Sequence, residues 1–351
     1  MKVACLHPYL ENRRDDIEKG LYPRHHLWGI DAIEKKMGWD VSFLPTNSRS
    51  NPTVLDKLLN HFLFRGSPGA KAEIQAWKAS KTHDLIYSVC GPLSLARHYK
   101  GTKLVSWVFR KQVSANRHSN HPYSNENLDS HAGFLCLTPD TRNNFAKHAK
   151  SLFLPWCVDQ EMFDGGLPAQ KADSDFFLAT GKTGRDYKCL VEGASSTNVE
   201  LRIIGPKEQR PTSLPANIKW IETSLDPPDK AIDYPTLREW YAQCIAVCIP
   251  LSGDAQDTCG YTNMLEAMAM TKPVLMTSSG CLHLNPGKHG FGFSIEQGNP
   301  SDWARSMTKI ANNPDLAESL GQNGRKIASS ELNVSDFNEK IVKFIDEVLR
   351  N

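Results

Sequence analysis

The chain has 351 residues, of which 40% are hydrophobic and 23% are charged, and its formal net charge at pH 7 is +2. This length exceeds what one hydrophobic core usually supports, so we expect two domains. The composition excludes disordered, collagen-like and coiled-coil proteins. The longest apolar stretch, residues 244–249, is far shorter than the ~20 residues of a spanning helix, and the first residues lack a signal-peptide pattern. We therefore do not expect an integral membrane protein.

The charge is unevenly distributed along the chain. Residues 1–155 contain 22 Lys and Arg against 13 Asp and Glu, whereas residues 156–351 contain 19 against 26. Two interpretations stay open: an uneven solvated surface, or a first half that meets an anionic acceptor or an anionic membrane surface. A nucleic-acid-binding module is disfavoured, because the basic half has no aromatic–basic recognition motif.

The nine cysteines and twelve histidines do not form a metal-binding or disulfide pattern. The cysteines are scattered and include no Cys-x-x-Cys pair, so we expect small buried residues in a reducing compartment. The cytoplasm is the expected location. Peripheral contact with the inner face of the membrane is compatible with that location. The pairs His25-His26 and His118/His121 lack carboxylate or cysteine partners at a matching spacing, and we expect no metal.

In the first half, short apolar segments alternate with helical patterns. A strand at 1–6 precedes a charged loop at 11–19, and a helix with an apolar face then ends at Gly38. Another helix is predicted at 70–79. The further predicted strands are 41–44, 84–89, 104–109, 133–137 and 151–154.

The second half repeats this alternation and ends in an amphipathic helix. The predicted strands are 176–180, 200–204, 245–249 and 273–276. The closing helix carries Phe337, Ile341, Phe344, Ile345 and Val348 on one face. Strands that alternate with helices predict βαβ units and parallel sheets, so the fold class is α/β with two doubly wound domains joined near residues 155–168.

Ligands of such sheets bind beyond the carboxyl ends of the strands, so the loops there are the first place to look for a site. The segment 180–188 follows one strand and carries two glycines and three cations, which suit a diphosphate. The cations are Lys182, Arg185 and Lys188. A P-loop is excluded, because Phe176 stands where that motif needs its first glycine. The alternative is an exposed basic turn.

A second candidate loop follows the strand at 245–249. Gly260 precedes a helix that we expect to begin near Thr262 or Asn263, and its first N–H groups favour a phosphate. Glu266 lies one turn into this helix and is placed to accept hydrogen bonds from two ribose hydroxyls. The alternative interpretation is that Glu266 binds no ligand and only interacts favourably with the dipole near the start of the helix.

Four segments, taken in order, resemble the GT-B glycosyltransferases, specifically retaining enzymes of the family 4 type (glycosyl transferases group 1). The first two are Gly20 through Gly38-Trp39-Asp40-Val41, similar to the glycine turn and first helix, and the segment 154–163, similar to the interdomain signature. The other two are Gly181-Lys182 followed by Lys188, and Gly260 through Glu266-Ala267-Met268-Ala269 with Lys272-Pro273-Val274.

This resemblance implies two Rossmann-like domains that face a cleft. The acceptor-side domain would span 1–158 and the nucleotide-sugar domain 159–335, with helix 336–351 packed back on the first. A nucleoside diphosphate sugar would be the co-substrate, with no required cofactor. Glu266 would bind the ribose, while Lys182 and Lys188 would neutralise the diphosphate. The remaining donor-side residues would be Gly181, Arg185, Thr258, Gly260, Tyr261, Thr262 and Asn263, with the Tyr261 and Thr262 N–H groups completing the phosphate cradle.

The chain departs from the family pattern at Thr258, where relatives commonly carry a second glutamate that faces the sugar. Asp257 lies beside it and is the catalytic candidate for the sugar hydroxyls. Two alternatives to a transferase therefore stay open: a catalytically silent nucleotide-sugar-binding protein and a GT-B epimerase. On the acceptor side, His7, Arg110 and His118 follow strands of the first half and are candidates for contact with an acceptor, which is not identified.

Overall fold

The computed structural model describes residues 1–7, 13–45, 54–62, 68–109, 124–166, 175–223, 232–253, 258–278 and 281–350. The chain divides into two compact units. The first unit contains Met1–Asp15, His25–Pro155 and Ser335–Asn351, and the second contains Asp16–Arg24 and Trp156–Val334. The sequence pattern did not predict that residues 16–24 group with the second unit.

The first unit contains a six-stranded parallel sheet with strand order β2-β1-β3-β4-β5-β6. Its strands are β1 (Lys2–Leu6), β2 (Asp40–Leu44), β3 (Leu85–Ser88), β4 (Lys103–Val108), β5 (Gly133–Cys136) and β6 (Lys150–Phe153). The helices are α1 (Arg14–Glu18, which spans the division between the units), α2 (Ile30–Met37), α3 (Val54–Phe62), α4 (Ala70–Ala79), α5 (Asn125–Asp129) and α6 (Pro139–Phe145). The last helix of the chain, α12 (Val334–Arg350), also belongs to this unit from Ser335 onward.

Apolar strands and helix faces form the core of the first unit. The four residues Val3 to Leu6 of β1 are fully buried, because helices cover the sheet. The helix α12 buries the apolar face seen in the sequence. Its Ile341 packs against Gly29 and its Phe344 against Gly133, and both glycines lack the Cβ that would collide with these side chains.

The second unit contains a six-stranded parallel sheet with strand order β12-β11-β10-β7-β8-β9. Its strands are β7 (Phe176–Thr180), β8 (Glu200–Pro206), β9 (Ile218–Thr223), β10 (Ala246–Ile249), β11 (Val274–Thr277) and β12 (Gly292–Ile295). The helices are α7 (Tyr187–Ser195), α8 (Tyr234–Gln243), α9 (Tyr261–Ala269), α10 (Pro300–Ala311) and α11 (Pro314–Glu331).

One close contact shows how tightly the helices of the second unit pack. Gly193 of α7 lies against Pro300 and Trp303 of α10, and a Cβ at residue 193 would lie 2.5 Å from the Pro300 carbonyl oxygen. Trp303 is fully buried in the same cluster as the strand residues Phe177 and Ile203. The small residue thus lets the two helices approach each other on one face of the sheet.

The predicted α/β class with two doubly wound parallel sheets is confirmed. Three details differ. The charged segment 11–19, expected as a loop, contains the helix α1. The edge strands β9 and β12 were not predicted, since β9 carries polar residues within its apolar pattern and β12 has only four residues. Pairing with β8 and β11 defines these two strands.

No helix in the described part of the chain combines the length and the hydropathy that a membrane span requires. All nine cysteines are free thiols, and six of them are buried. Burial raises the pKa of several of these thiols, for example that of Cys244 to about 11. Such thiols remain protonated and behave as small apolar residues.

Candidate active site

Each sheet has one point at which its strand order reverses. In the second sheet, the chain proceeds from β7 to β8 and β9 on one side and then returns to β10, β11 and β12 on the other. The loops after β7 and β10 therefore leave in opposite directions and open a crevice beyond the carboxyl ends of these two strands. Both candidate loops from the sequence lie at this point. In the first sheet, the same reversal lies between β1 and β3.

Backbone hydrogen bonds join the loop after β7 to the loop after β10. The N–H of Asp186 donates to the carbonyl of Pro250 at 3.0 Å, and that of Ser252 donates to the carbonyl of Gly184 at 2.9 Å. Gly184 has a positive φ of 63°, which a glycine adopts without strain. The two loops consequently form one connected backbone frame.

The guanidinium of Arg185 lies inside this frame and holds it together. It donates to the carbonyls of Thr180 at 3.3 Å and Thr183 at 2.8 Å, and to Oδ1 of Asn263 at 2.6 Å. Gly181 leaves room for this side chain, because a Cβ there would overlap the guanidinium. Arg185 thus connects the basic loop to the first turn of α9.

The two predicted lysines differ in their surroundings. Lys188 is the second residue of α7, is exposed, and forms no ion pair with any residue that the structure describes. Lys182 is half-buried, and its carbonyl accepts a hydrogen bond from Nε2 of Gln209 at 3.0 Å. The hydroxyl of Tyr187 donates to the carbonyl of Gly181 at 2.7 Å. Both ends of the loop are therefore anchored while Lys188 faces solvent.

The helix α9 begins at Tyr261, one residue earlier than expected, directly after Gly260. Gly260 has a φ of 82°, and no side chain among the described residues caps the helix there. The N–H of Tyr261 donates to the carbonyl of Thr258 at 3.3 Å. Its place in a phosphate cradle stays a prediction. Thr262 and Thr258 are half-buried. The uncapped helix end still presents a positive dipole toward the crevice.

Glu266 is fully enclosed one turn into α9. Its Oε2 accepts a 2.9 Å hydrogen bond from the hydroxyl of Tyr241, which in turn accepts one from Nδ2 of Asn263 at 3.2 Å. Oε1 is buried and lacks a hydrogen bond of good geometry to the described residues. Burial raises the pKa of Glu266 to about 8, and the Tyr241 and Asn263 side chains partly oppose this rise. The carboxyl group thus retains one oxygen, Oε1, whose hydrogen-bonding capacity the described residues leave unused.

His7 lies at the reversal point of the first sheet, directly after β1. Its side chain is buried and not exposed to solvent. Its Nε2 lies 3.0 Å from the carbonyl oxygen of His26. Burial lowers the pKa of His7 to about 4, so the imidazole is neutral at physiological pH. The other acceptor-side candidates, Arg110 and His118, and the catalytic candidate Asp257 lie outside the described residues.

Two side chains that contact residues of α9 were not singled out from the sequence. Tyr241 of α8 is fully buried and supports Glu266, although it is 25 residues away in the chain. The hydroxyl of Tyr261 lies 3.2 Å from Nδ1 of His283, whose pKa burial lowers to about 4. An aromatic residue shortly before a buried strand is typical of ordinary core, so only the hydroxyl of Tyr241 indicated a polar role. No feature of the sequence indicated a role for His283.

The described residues contain no group of three or more His, Cys, Asp or Glu side chains that could hold a metal ion. The positive charges of the crevice come from the basic loop and from the end of α9. In chemical terms, the crevice offers cations and a helix N-terminus for a phosphate group, and a buried carboxylate for a hydroxyl-bearing group.

Two comparisons with known proteins extend this description. Residues 187–313, which include α7 to α10, match the family model for glycosyl transferases group 1. None of the curated protein sequences matches the chain.

Solved structures share the fold over the whole chain. The sucrose-phosphate synthase of Thermosynechococcus elongatus is 14% identical with a TM-score of 0.71, covering 100% of this chain and 99% of its own. HepE of Anabaena, solved with UDP and glucose, is 14% identical with a TM-score of 0.62, and 99% of each chain is covered. WaaG, a glycosyltransferase involved in lipopolysaccharide biosynthesis, is 13% identical with a TM-score of 0.64, covering 98% of this chain and 99% of its own. The chain thus shares its fold with these glycosyltransferase structures, and its residues 187–313 match the family model for glycosyl transferases group 1.

Proposed function

We propose that this enzyme transfers a sugar from a nucleoside diphosphate sugar to an acceptor with retention of the anomeric configuration. The observation that supports this most directly is the meeting of a basic loop, the N-terminus of α9 and the buried side chain of Glu266 in one crevice of the second sheet. HepE, which has the same fold, was solved with UDP-glucose. A UDP-sugar is therefore the first donor to test.

The diphosphate binds between the basic loop and α9. Lys188 is exposed and carries no competing ion pair with the described residues, so its ammonium is available to a phosphate oxygen. Lys182 contributes a second positive charge, and the dipole of α9 a third source of positive potential. Arg185 is engaged by Asn263 and two carbonyls, and we assign it to holding the loop rather than to primary contact with the phosphate.

The ribose binds at Glu266, whose Oε1 accepts a hydrogen bond from a ribose hydroxyl while Oε2 remains with Tyr241. A buried carboxyl group with a pKa of about 8 costs folding free energy at neutral pH when it ionises. Hydroxyl donors from the nucleotide satisfy the carboxylate and offset that cost. Part of the binding free energy of the nucleotide thus comes from the hydrogen bonds that its hydroxyl groups donate to the buried Glu266 side chain.

In the chemical step, the bond between the anomeric carbon and the diphosphate oxygen breaks, and the bond between that carbon and the acceptor oxygen forms on the same face. The acceptor proton passes to the departing phosphate oxygen. Lys182 and Lys188 stabilise the negative charge that accumulates on the leaving group, so catalysis is mainly electrostatic. Asp257 and Thr258 contact the sugar hydroxyls, where relatives of the family use a glutamate.

The acceptor binds to the first unit and carries negative charge. The excess of Lys and Arg over Asp and Glu in residues 1–155 supports an anionic acceptor. Arg110 and His118 are its proposed contacts. The neutral imidazole of His7 is proposed as a further positioning group for the acceptor. The nine free thiols support a reducing compartment, and we propose the cytoplasm.

Calorimetric titration of the purified enzyme with UDP, GDP, ADP and dTDP tests the donor site. We expect one nucleotide to bind, and the corresponding nucleotide sugar to be hydrolysed slowly without an acceptor. Glu266→Ala serves as the matched variant that should lose affinity. Binding of none of the four nucleotides would contradict the assignment of Lys188 and Glu266. Binding with no turnover of any donor across an acceptor screen would favour a catalytically silent binding protein instead.

A further inference from the structure

The helix α3 exposes a stripe of large apolar side chains that no part of the crevice explains. Val54, Leu58 and Phe62 are spaced four residues apart and therefore lie on one face of the helix. They are 76%, 50% and 63% exposed. Isolated apolar residues are common on surfaces, but a helical stripe of three marks a face that meets something other than water.

The neighbouring helix α4 also exposes large apolar side chains. It buries its alanines, including Ala72, Ala76 and Ala79, in the core of the first unit beside β1 and β3. Its large apolar side chains, Ile74 and Trp77, instead point outward and are more than one-third exposed. This is the reverse of an ordinary amphipathic helix, in which the largest apolar side chains face the core.

A hydrogen bond connects the two helices. The Oδ1 of Asn60 in α3 accepts from the backbone N–H of Ala70 at the start of α4, at 2.7 Å. The end of α3 is therefore adjacent to the start of α4. We call the outward-facing residues of this region the α3–α4 surface, which consists of Val54, Lys57, Leu58, Phe62, Lys71, Ile74, Trp77, Lys78 and Lys81.

The exposed charges that the structure describes on the two helices have one sign. They are Lys57, Lys71 and Lys78, and Lys81 follows two residues after the end of α4. The only described acid there, Glu73, is buried and accepts hydrogen bonds from the N–H groups of Ser94 and Leu95. The ammonium of Lys81 lies 3.8 Å from the centre of the Trp77 ring, so cation and aromatic group adjoin.

We propose that the α3–α4 surface docks onto the headgroup region of an anionic lipid bilayer. Apolar and aromatic side chains that enter the boundary of the acyl chains, bordered by lysines that meet anionic headgroups, are the recognition chemistry of a lipid surface. A protein partner fits less well, because the buried part of protein interfaces is depleted in lysine. This inference does not depend on the proposed transferase reaction.

Flotation of the full chain with vesicles tests the proposal. One set contains phosphatidylcholine alone, and in the other phosphatidylglycerol replaces half of it. We expect binding to the anionic vesicles only, and weaker binding at high salt. The double variant Lys71→Glu/Lys78→Glu should lose roughly tenfold or more in affinity, since each surface lysine contributes about fivefold. The matched control is Lys288→Glu/Lys326→Glu, which changes two exposed lysines of the second unit and should bind like the unmodified chain.

The apolar contribution is tested separately. Leu58→Ser and Trp77→Ser should each reduce binding to anionic vesicles roughly tenfold. Leu21→Ser, at an exposed leucine of the second unit, is the control. The proposal is overturned if neither vesicle binds the chain, or if the two lysine variants bind equally. It is also overturned if the surface variants abolish self-association in sedimentation experiments while vesicle binding stays unchanged, which would assign the surface to a second copy of the chain.

Discussion

The hydroxyl of Tyr241 donates a 2.9 Å hydrogen bond to Oε2 of Glu266, and both side chains are excluded from water. Asn263 donates a hydrogen bond from Nδ2 to the same hydroxyl, and its Oδ1 accepts one from the guanidinium of Arg185. A continuous chain of polar contacts thus runs from the basic loop after β7 through α9 to α8. A ligand that orders the loop is linked through these contacts to the carboxylate that we assign to the ribose.

Removal of the Tyr241 hydroxyl should affect both stability and nucleotide binding. In Tyr241→Phe, Oε2 of Glu266 loses its donor, so we expect the free energy of unfolding to fall by about 1 kcal/mol. Affinity for the nucleotide should fall roughly three- to tenfold, because the carboxylate is less well held. Denaturant unfolding and calorimetric titration measure the two effects. Tyr234→Phe, in the same helix, is the comparison variant, and equal effects in both variants would contradict a specific role for Tyr241.

Glu266 should make the stability of the fold depend on pH. Its pKa is about 8 in the folded chain against an ordinary value of 4.5, so the fold prefers the protonated carboxyl. The stability contributed by this preference is fully present below pH 4.5 and is lost as the pH rises through about 8. Glu266→Gln cannot ionise and should gain stability over the unmodified chain across this range, by an amount on the order of a few kcal/mol.

Thermal unfolding of both proteins from pH 5 to pH 9 provides the measurement for the Glu266→Gln comparison. The difference between the two melting temperatures should widen with rising pH and level off above about 8. A difference that stays constant over the whole range would show that Glu266 ionises at its ordinary pKa. Other titratable groups are shared by the two proteins and cancel in the difference.

The assignment of Glu266 to the ribose predicts a preference between nucleotides. UDP should bind more tightly than 2′-deoxy-UDP by roughly three- to tenfold, because the deoxy compound lacks a hydroxyl for the buried carboxylate. Glu266→Ala should bind both ligands weakly and with equal affinity. A preference that survives this substitution would place the ribose elsewhere. Titration of each protein with both nucleotides gives the four affinities needed.

Lys188 should contribute directly to the affinity for the diphosphate. Charge-assisted hydrogen bonds contribute about 1.5–3 kcal/mol, so Lys188→Ala should weaken nucleotide diphosphate binding roughly ten- to hundredfold without unfolding the chain. The effect should be much smaller for the free nucleoside. Lys326→Ala, at an exposed lysine of α11, controls for the loss of a positive charge. Unchanged affinity in folded Lys188→Ala would refute the assignment.

Gly260 should tolerate no side chain. Its φ of 82° is unfavourable for an L-residue, and a Cβ there would lie 2.7 Å from Cγ2 of Ile249. We expect Gly260→Ala to lower the free energy of unfolding by about 2 kcal/mol and to weaken nucleotide binding through displacement of the end of α9. Gly298→Ala, also at positive φ but in open space, should show the conformational cost alone. Denaturant unfolding of both variants separates strain from collision.

The alternation of apolar strands with helices was sufficient to predict the fold class and most of the strands. Local hydrophobic periodicity carries this information, because each buried parallel strand reads as a short apolar run. The segments around Gly181, Gly260 and Glu266 could likewise be identified from the sequence, since glycines and charges directly after strands are a local pattern. The bounds of β7 agree with the prediction to the residue, and α4 lies where a helix around 70–79 was predicted.

Only the tertiary structure showed that Tyr241 supports Glu266, that Arg185 is engaged by Asn263, and that His7 is buried and neutral. These properties depend on contacts between segments far apart in the chain and on exclusion of water, neither of which leaves a local pattern. The edge strands β9 and β12 depend in the same way on the neighbours with which they pair. Composition and periodicity thus determine which elements form, whereas side-chain burial and partners, and hence pKa values, are decided by how those elements pack.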